Sequence, residues 1–303
     1  MKVLVTGSHG FLGRHAAAAA TRCGHQLLLL DRATTPLPPG PEWDVVAASI
    51  EDTGAWLERV VAFGPEACIH LAWTGIPDFS RHNCVRNLAD SIQFFGALVG
   101  HTSCRQLLVS GSCWEYGDVH GCCSEEREGA PVSYFAWAKS ALRQHLALLC
   151  AERSIALHWF RIFFLYGPGQ RSGSLIPSLI RDISGGRTPG LKQPGHCNDF
   201  VHVHDVAEAF ALALGRDAPS GVYNLGSGIA TSVVDVLATV EHLLTSEQAT
   251  AEQVRQRATT TGQGCWADVT RTQRVFGWRA RTALADGIRS QVLASGLLTA
   301  GAE

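Results

Sequence analysis

No apolar stretch in this sequence approaches the roughly 20 residues that a membrane-crossing helix needs, and no run of lysine or arginine stands out. The first absence argues against a membrane protein. The second, with 25 basic residues against 27 acidic ones, argues against a nucleic acid or an anionic membrane as partner. No secretory leader is expected, because Met1-Lys2 runs straight into Val3-Leu4-Val5 and a glycine turn. Cysteine is plentiful, but no Cys-x-x-Cys pair occurs, and Cys122 and Cys123 are adjacent, which suits one tetrahedral metal poorly. Cys68 and Cys150 sit in apolar runs as buried thiols would, and the set fits a reducing cytoplasm. His202-x-His204-Asp205 would put two imidazoles on one strand face, yet no third ligand is evident, so no metal is expected.

The N-terminus carries the clearest signal. Val3–Thr6 reads as a buried strand, Gly7, Gly10 and Gly13 follow, and an alanine-rich helix runs from Phe11 to Ala20. A strand, a glycine turn and a helix start make an anion site. Gly7 permits the tight turn, Gly10 lets a pyrophosphate approach the backbone, and Gly13 lets the helix pack close to the sheet. The next strand, Gln26–Leu30, ends at Asp31, whose carboxylate suits the ribose hydroxyls of NAD(H); Arg32 beside it could instead pair with the 2′-phosphate of NADP(H). Strand-like runs then alternate with helical ones to about residue 165, as a doubly wound parallel sheet requires. Asp205 is placed to cap a helix over Val206–Leu214, and Pro36–Pro41 reads as loop.

The turn's Gly-x-x-Gly-x-x-Gly spacing resembles the extended short-chain dehydrogenase/reductase family, the NAD-dependent epimerases and dehydratases. The likeness extends along the chain through "ACIHLAW" (67–73), Asn87, "LLVSGSCWEYG" (107–117), "FRIFFLYGPGQ" (160–170), "DFVHVHDVAEAF" (199–210), "GVYNLGSG" (221–228) and "ADVTRTQRVFGW" (267–278). It implies an α/β fold, a Rossmann-type doubly wound sheet with a smaller C-terminal substrate lobe. Residues 1–167 would form the dinucleotide domain, with about 199–226 returning to it, and 168–198 and 227–303 the substrate lobe. It also implies cofactor contacts from His9, Phe11, Leu12, Leu71, Ala72, Trp73, Ser110 and Lys139 beside the glycines, Asp31 and Arg32.

One residue departs from the family pattern. The family pairs a tyrosine with a lysine four residues on; here Lys139 has Phe135 at that place, and Tyr134 lies one residue earlier, turned by about 100° around a helix. The family's tyrosine exchanges the alcohol proton, its lysine holds the nicotinamide ribose, and a serine, here Ser112, orients the carbonyl. Three explanations are open at this point. The chain is an inactivated Tyr-to-Phe variant; or it uses another acid, with Tyr134, Glu115 or a water as candidates; or it binds cofactor without efficient redox chemistry.

Family 4,6-dehydratases carry Asp-Glu after the serine or threonine, where this chain has Cys113-Trp114. Epimerising reductases of the family place a cysteine and a histidine where this chain has Trp114 and Leu175. Hydride transfer remains, and the resemblance is greatest to 4-ketoreductases acting on a nucleotide-linked 4-keto-6-deoxyhexose. A 4-epimerase with bound NAD and a catalytically silent nucleotide-sugar or cofactor-binding regulator are the alternatives. Cys113, Trp114, Tyr134, Phe164, Arg171 and Asn198 are expected to face the sugar nucleotide; Phe164 and Asn198 stand where asparagine and arginine are usual. A homodimer through the helices containing Asn87 and Lys139 is implied by the resemblance.

Overall fold

The computed structural model describes residues 1–32, 43–245, 249–257 and 263–297; Pro36–Pro41 lies outside them. The chain opens with β1 (Lys2–Thr6), α1 (Phe11–Arg22), β2 (Gln26–Asp31), β3 (Asp44–Ala47), α2 (Thr53–Phe63), β4 (Ala67–His70) and α3 (Arg81–His101). It continues through β5 (Gln106–Ser112), a 3-10 turn over Cys113–Tyr116, β6 (Gly121–Cys123), α4 (Tyr134–Arg153), β7 (Ala156–Ile162) and β8 (Phe164–Tyr166). Next come α5 (Leu175–Ser184), β9 (Cys197–Asn198), β10 (Phe200–His202), α6 (Val203–Ala213), β11 (Gly221–Leu225) and β12 (Thr231–Ser232). The remaining elements are α7 (Val233–Thr245), α8 (Ala249–Arg257), β13 (Gly264–Ala267), α9 (Thr270–Phe276) and α10 (Leu284–Ala294).

Seven strands pair in the order β11-β7-β5-β4-β1-β2-β3, every pair parallel. A parallel sheet covered on both faces needs apolar residues on both, and the sequence supplies them alternately. Val3, Val5, Leu27 and Leu29 face one core with Ala17 and Ala20 of α1 and Val206 and Phe210 of α6. Leu4, Leu28 and Leu30 face the other, with Trp56, Phe94, Phe95 and Leu142 from α2, α3 and α4. Strand order reverses around β1, which opens a crevice at the carboxyl ends of β1 and β4, where ligands bind in such sheets.

A smaller four-stranded sheet, β12-β9-β13-β6, stands beside the first, and β8 pairs with β10. β6 thus leaves the first half of the chain to pair with β13. The buried Asp199 carboxylate ties these parts together, accepting from Ser227 N (2.6 Å), Gly228 N (2.9 Å) and Ala267 N (3.0 Å). The expected cap at Asp205 is corrected: α6 starts at Val203, and the ring of His202 accepts from His204 N at 3.4 Å. Asp205 lies inside the first turn, where its carboxylate accepts instead from Thr282 N at 3.0 Å. His202 and His204 therefore do not share a strand; they fall on either side of a helix start. Among the described residues no helix is long and apolar enough to cross a membrane, and no group of three or more His, Cys, Asp or Glu is arranged to hold a metal ion.

Candidate active site

The turn between β1 and α1 is shaped by what its glycines lack. Gly7 has φ +70, and a Cβ there would lie 2.7 Å from Ala72 N; a Cβ on Gly13 would lie 2.0 Å from Gly7 O. The turn therefore closes tightly on the loop after β4. Gly10 caps α1 without a side-chain cap bond, so no side-chain oxygen competes with an anion for the first-turn N–H groups. Asp31, at the end of β2, accepts from His9 N at 2.8 Å and lies 3.5 Å from His9 Nδ1. Asp31, Arg32, His9, Leu71, Ala72 and Trp73 border one groove of about 290 Å³. A dinucleotide fits this donor set: uncapped helix N–H groups for the phosphates and a carboxylate one strand away for a ribose. Arg14, missed in the sequence, folds back over the turn, its guanidinium donating to Gly10 O at 3.3 Å and His9 O at 3.4 Å.

The groove shares Gly7, Gly10, Leu71 and Trp73 with a second cavity of about 560 Å³, which Phe11, Leu12 and Gly13 also border. Here the chain brings together Ser110 and Ser112 from β5 and Phe135 and Lys139 from α4. Ser133 caps α4 by accepting from Ala136 N at 3.2 Å, and the four-residue spacing puts Phe135 and Lys139 on one face. Lys139 is 3% exposed. Its Nζ donates to Ser110 O at 2.8 Å and sits 4.4 Å from the centre of the Trp73 ring. Burial pushes its pKa down to about 8, against the opposing pull of the Glu115 charge. Phe135 is packed edge-on by Trp73 (5.2 Å) and Trp114 (5.7 Å) and tilted against Phe79 (4.9 Å), so aromatic rings wall the place where the family's tyrosine would stand.

Ser112 accepts from Trp114 N at 3.2 Å and donates its own N–H to Glu115 Oε1 at 2.8 Å. Glu115 itself is wholly buried and turned away from both cavities, among Trp159, Arg161 and Arg143. It is thereby removed from the candidate acids. Tyr134 is also turned away: half-exposed, it borders a surface depression with Arg81, Val85 and Trp137. Asn87 accepts from Thr74 N at 2.6 Å and donates to Thr74 O at 3.0 Å, pinning the loop after β4 to α3.

A third cavity, about 450 Å³, gathers Cys113, Trp114, Phe164 and Asn198. Arg171 is not among its walls; it borders the cavity of Ser112 and Lys139. The third cavity adds two groups that sequence reasoning missed, His120 and His196. Gly264 N donates to His120 Nδ1 at 3.2 Å, which leaves the proton on Nε2. No local motif marked these histidines, because β6 and β13 meet only through long-range pairing.

The model of the family described as "NAD dependent epimerase/dehydratase family" matches residues 3–226. The dTDP-4-dehydro-6-deoxyglucose reductase of Escherichia coli is 25% identical over 304 residues, 94% of this chain and 95% of that protein. The dTDP-L-rhamnose 4-epimerase of Burkholderia thailandensis is 26% identical over 287 residues, covering 78% of this chain and 79% of its own. Among solved structures, MoeE5 in complex with UDP-glucuronic acid and NAD is 27% identical, with a TM-score of 0.80 over 98% of this chain and 99% of that one.

Proposed function

The chain belongs to the NAD dependent epimerase/dehydratase family, and from that premise we propose that it is an NAD(P)-dependent reductase of a nucleotide-linked 4-keto-6-deoxyhexose. The observation that carries this is the meeting of Ser112 and Lys139 in one cavity continuous with the glycine-turn groove. When bound there, the cofactor supplies hydride chemistry at the sugar's C4. The chain's own residues do the rest. The turn and Asp31 hold the dinucleotide, Lys139 faces its nicotinamide end, and the Ser112 hydroxyl orients the carbonyl by donating to its oxygen. Trp73, Phe79 and Phe135 exclude water from the reacting carbon, which strengthens each polar contact left inside. The sugar nucleotide occupies the third cavity, with Trp114 at the boundary between the two. Dehydration has no Asp-Glu pair here, and the buried Cys113 thiol is pushed far up by desolvation, a poor proton carrier.

A second reading, a nucleotide-sugar 4-epimerase that oxidises and re-reduces one carbon with bound NAD, is favoured by the similarity to a dTDP-L-rhamnose 4-epimerase. Reduction consumes added cofactor, whereas epimerisation needs none. Chromatography of a nucleotide sugar incubated with the protein alone therefore separates the two. A silent regulator would bind both ligands and turn over neither. The reading carries a cytoplasmic setting with it, and a homodimer through α3 and α4, where Val85, Tyr134 and Trp137 are exposed around one depression. Light scattering should return twice the chain mass; a monomer at micromolar concentration would remove the dimer.

A further inference from the structure

Reducing a carbonyl requires a proton as well as a hydride, and Phe135 has no proton to give. Side chains that ordinarily carry protons are His, Asp, Glu, Lys, Tyr and Cys. Among the described residues bordering the cavity of Ser112 and Phe135, Lys139 is the sole member of that set. Asp118, His120 and His196 border the neighbouring cavity and not this one. Glu115 is held among Trp159, Arg161 and Arg143 and Tyr134 faces outward, as described above. Arg171 borders the reaction cavity, but a guanidinium does not release its proton in proteins.

Resting on the reductase reading above, we propose that Lys139 is itself the proton donor of this enzyme, acting on the substrate's carbonyl oxygen in the absence of a tyrosine. The geometry suits this. The ammonium is buried, and its near oxygens, Ser110 O at 2.8 Å and Ser110 Oγ at 3.5 Å, are both neutral. No carboxylate lies within ion-pair distance of it among the described residues. The Phe135 ring centre is 6.0 Å from Nζ and offers no hydroxyl as intermediary. In the step, an Nζ–H bond breaks and an O–H bond forms on the carbonyl oxygen. The electron pair stays on nitrogen, and the neutral amine is recharged from solvent. The carbonyl carbon takes its hydride from the reduced nicotinamide cofactor. Burial, which brings the ammonium's pKa to about 8, makes proton release at working pH feasible.

Two measurements test this. The chain has only three lysines, Lys2, Lys139 and Lys192, so the side-chain carbons of isotope-labelled lysine can be followed by NMR in the cofactor-free protein. One signal should titrate near pH 8 and vanish in Lys139→Arg. A Lys139 signal titrating only in the ordinary lysine range, about 10.4, would overturn the proposal. The second measurement is kinetic. Lys139→Arg keeps the charge but cannot donate, so kcat should fall by roughly 10²–10⁴-fold, the usual worth of a general acid. Adding Phe135→Tyr to that variant should restore most of the rate. An unchanged kcat in Lys139→Arg overturns the proposal. If the native chain is inert and Phe135→Tyr is active, the reductase reading stands and the lysine proposal falls. If both are inert toward reduced cofactor and 4-keto sugar, the reductase reading falls and the proposal falls with it.

Discussion

Removing the Glu115 carboxylate should unfold the protein early and leave its chemistry largely intact in the molecules that remain folded. Its Oε1 accepts from Ser112 N at 2.8 Å and Trp159 Nε1 at 3.0 Å, and its Oε2 lies 3.3 Å from Arg161 Nε and 3.8 Å from Arg143 Nε. Arg161 is 3% exposed and stacks on Tyr116 at 4.3 Å. In Glu115→Ala that guanidinium keeps its burial and loses its counter-charge. Breaking a buried pair from one side costs about 3–5 kcal/mol. At roughly 2–4 °C per kcal/mol for a chain of this order of size, Tm should drop by roughly 10 °C. Glu115→Gln keeps the shape and part of the hydrogen bonding, so it should lose less. The assay is thermal unfolding of both variants, paired with turnover measured well below the transition. If Glu115→Gln melts with the native protein while its turnover collapses, Glu115 is the acid of the reaction and its assignment as a structural hub is wrong.

Gly13→Ala puts a Cβ 2.0 Å from Gly7 O, against backbone that cannot swing aside. It should cost about 1–3 kcal/mol in strain and weaken cofactor binding at least tenfold in a fluorescence titration; unchanged affinity would take Gly13 out of the site. Arg32→Ala should weaken NADP(H) and spare NAD(H) if Arg32 pairs with a 2′-phosphate; equal loss of both, or none, counts against that role. The His204 ring packs edge-on against His15 at 4.8 Å and His202 at 4.9 Å, between α1 and the start of α6, and burial lowers the pKa of His15 and of His202 to about 4. The folded state thus favours neutral rings. Stability is full above about 6.5, the unfolded histidine value, and is lost as pH falls toward 4. Tm followed across that range should slope less in a His15→Gln, His202→Asn double variant, and an identical slope would refute the linkage.

The glycine turn was legible because every part of it is local: strand, turn, helix start and Asp31 fall within the first 31 residues. Helix α1 runs on to Arg22, past the Ala20 at which its alanine run suggested a stop. Helical spacing alone set Lys139 beside Phe135 and turned Tyr134 aside. The roles of Glu115 and Asp205 were not legible. Both read as polar groups available for an acid or a cap, and both carboxylates are taken up by partners distant in sequence: Arg161 and Trp159 for Glu115, Thr282 for Asp205. His120 escaped notice for the same reason, since Gly264, its partner, lies 144 residues away. The pairing of β6 with β13 that brings them together leaves no trace in local periodicity.

The most direct test of the account is to mix the native chain with reduced nicotinamide cofactor and a nucleotide-linked 4-keto-6-deoxyhexose and follow the absorbance of the reduced nicotinamide. One mole of cofactor should be oxidised per mole of 4-hydroxy sugar formed. The reductase reading would be contradicted by interconversion of 4-epimers with no added cofactor, or by tight binding of both ligands with no change in absorbance.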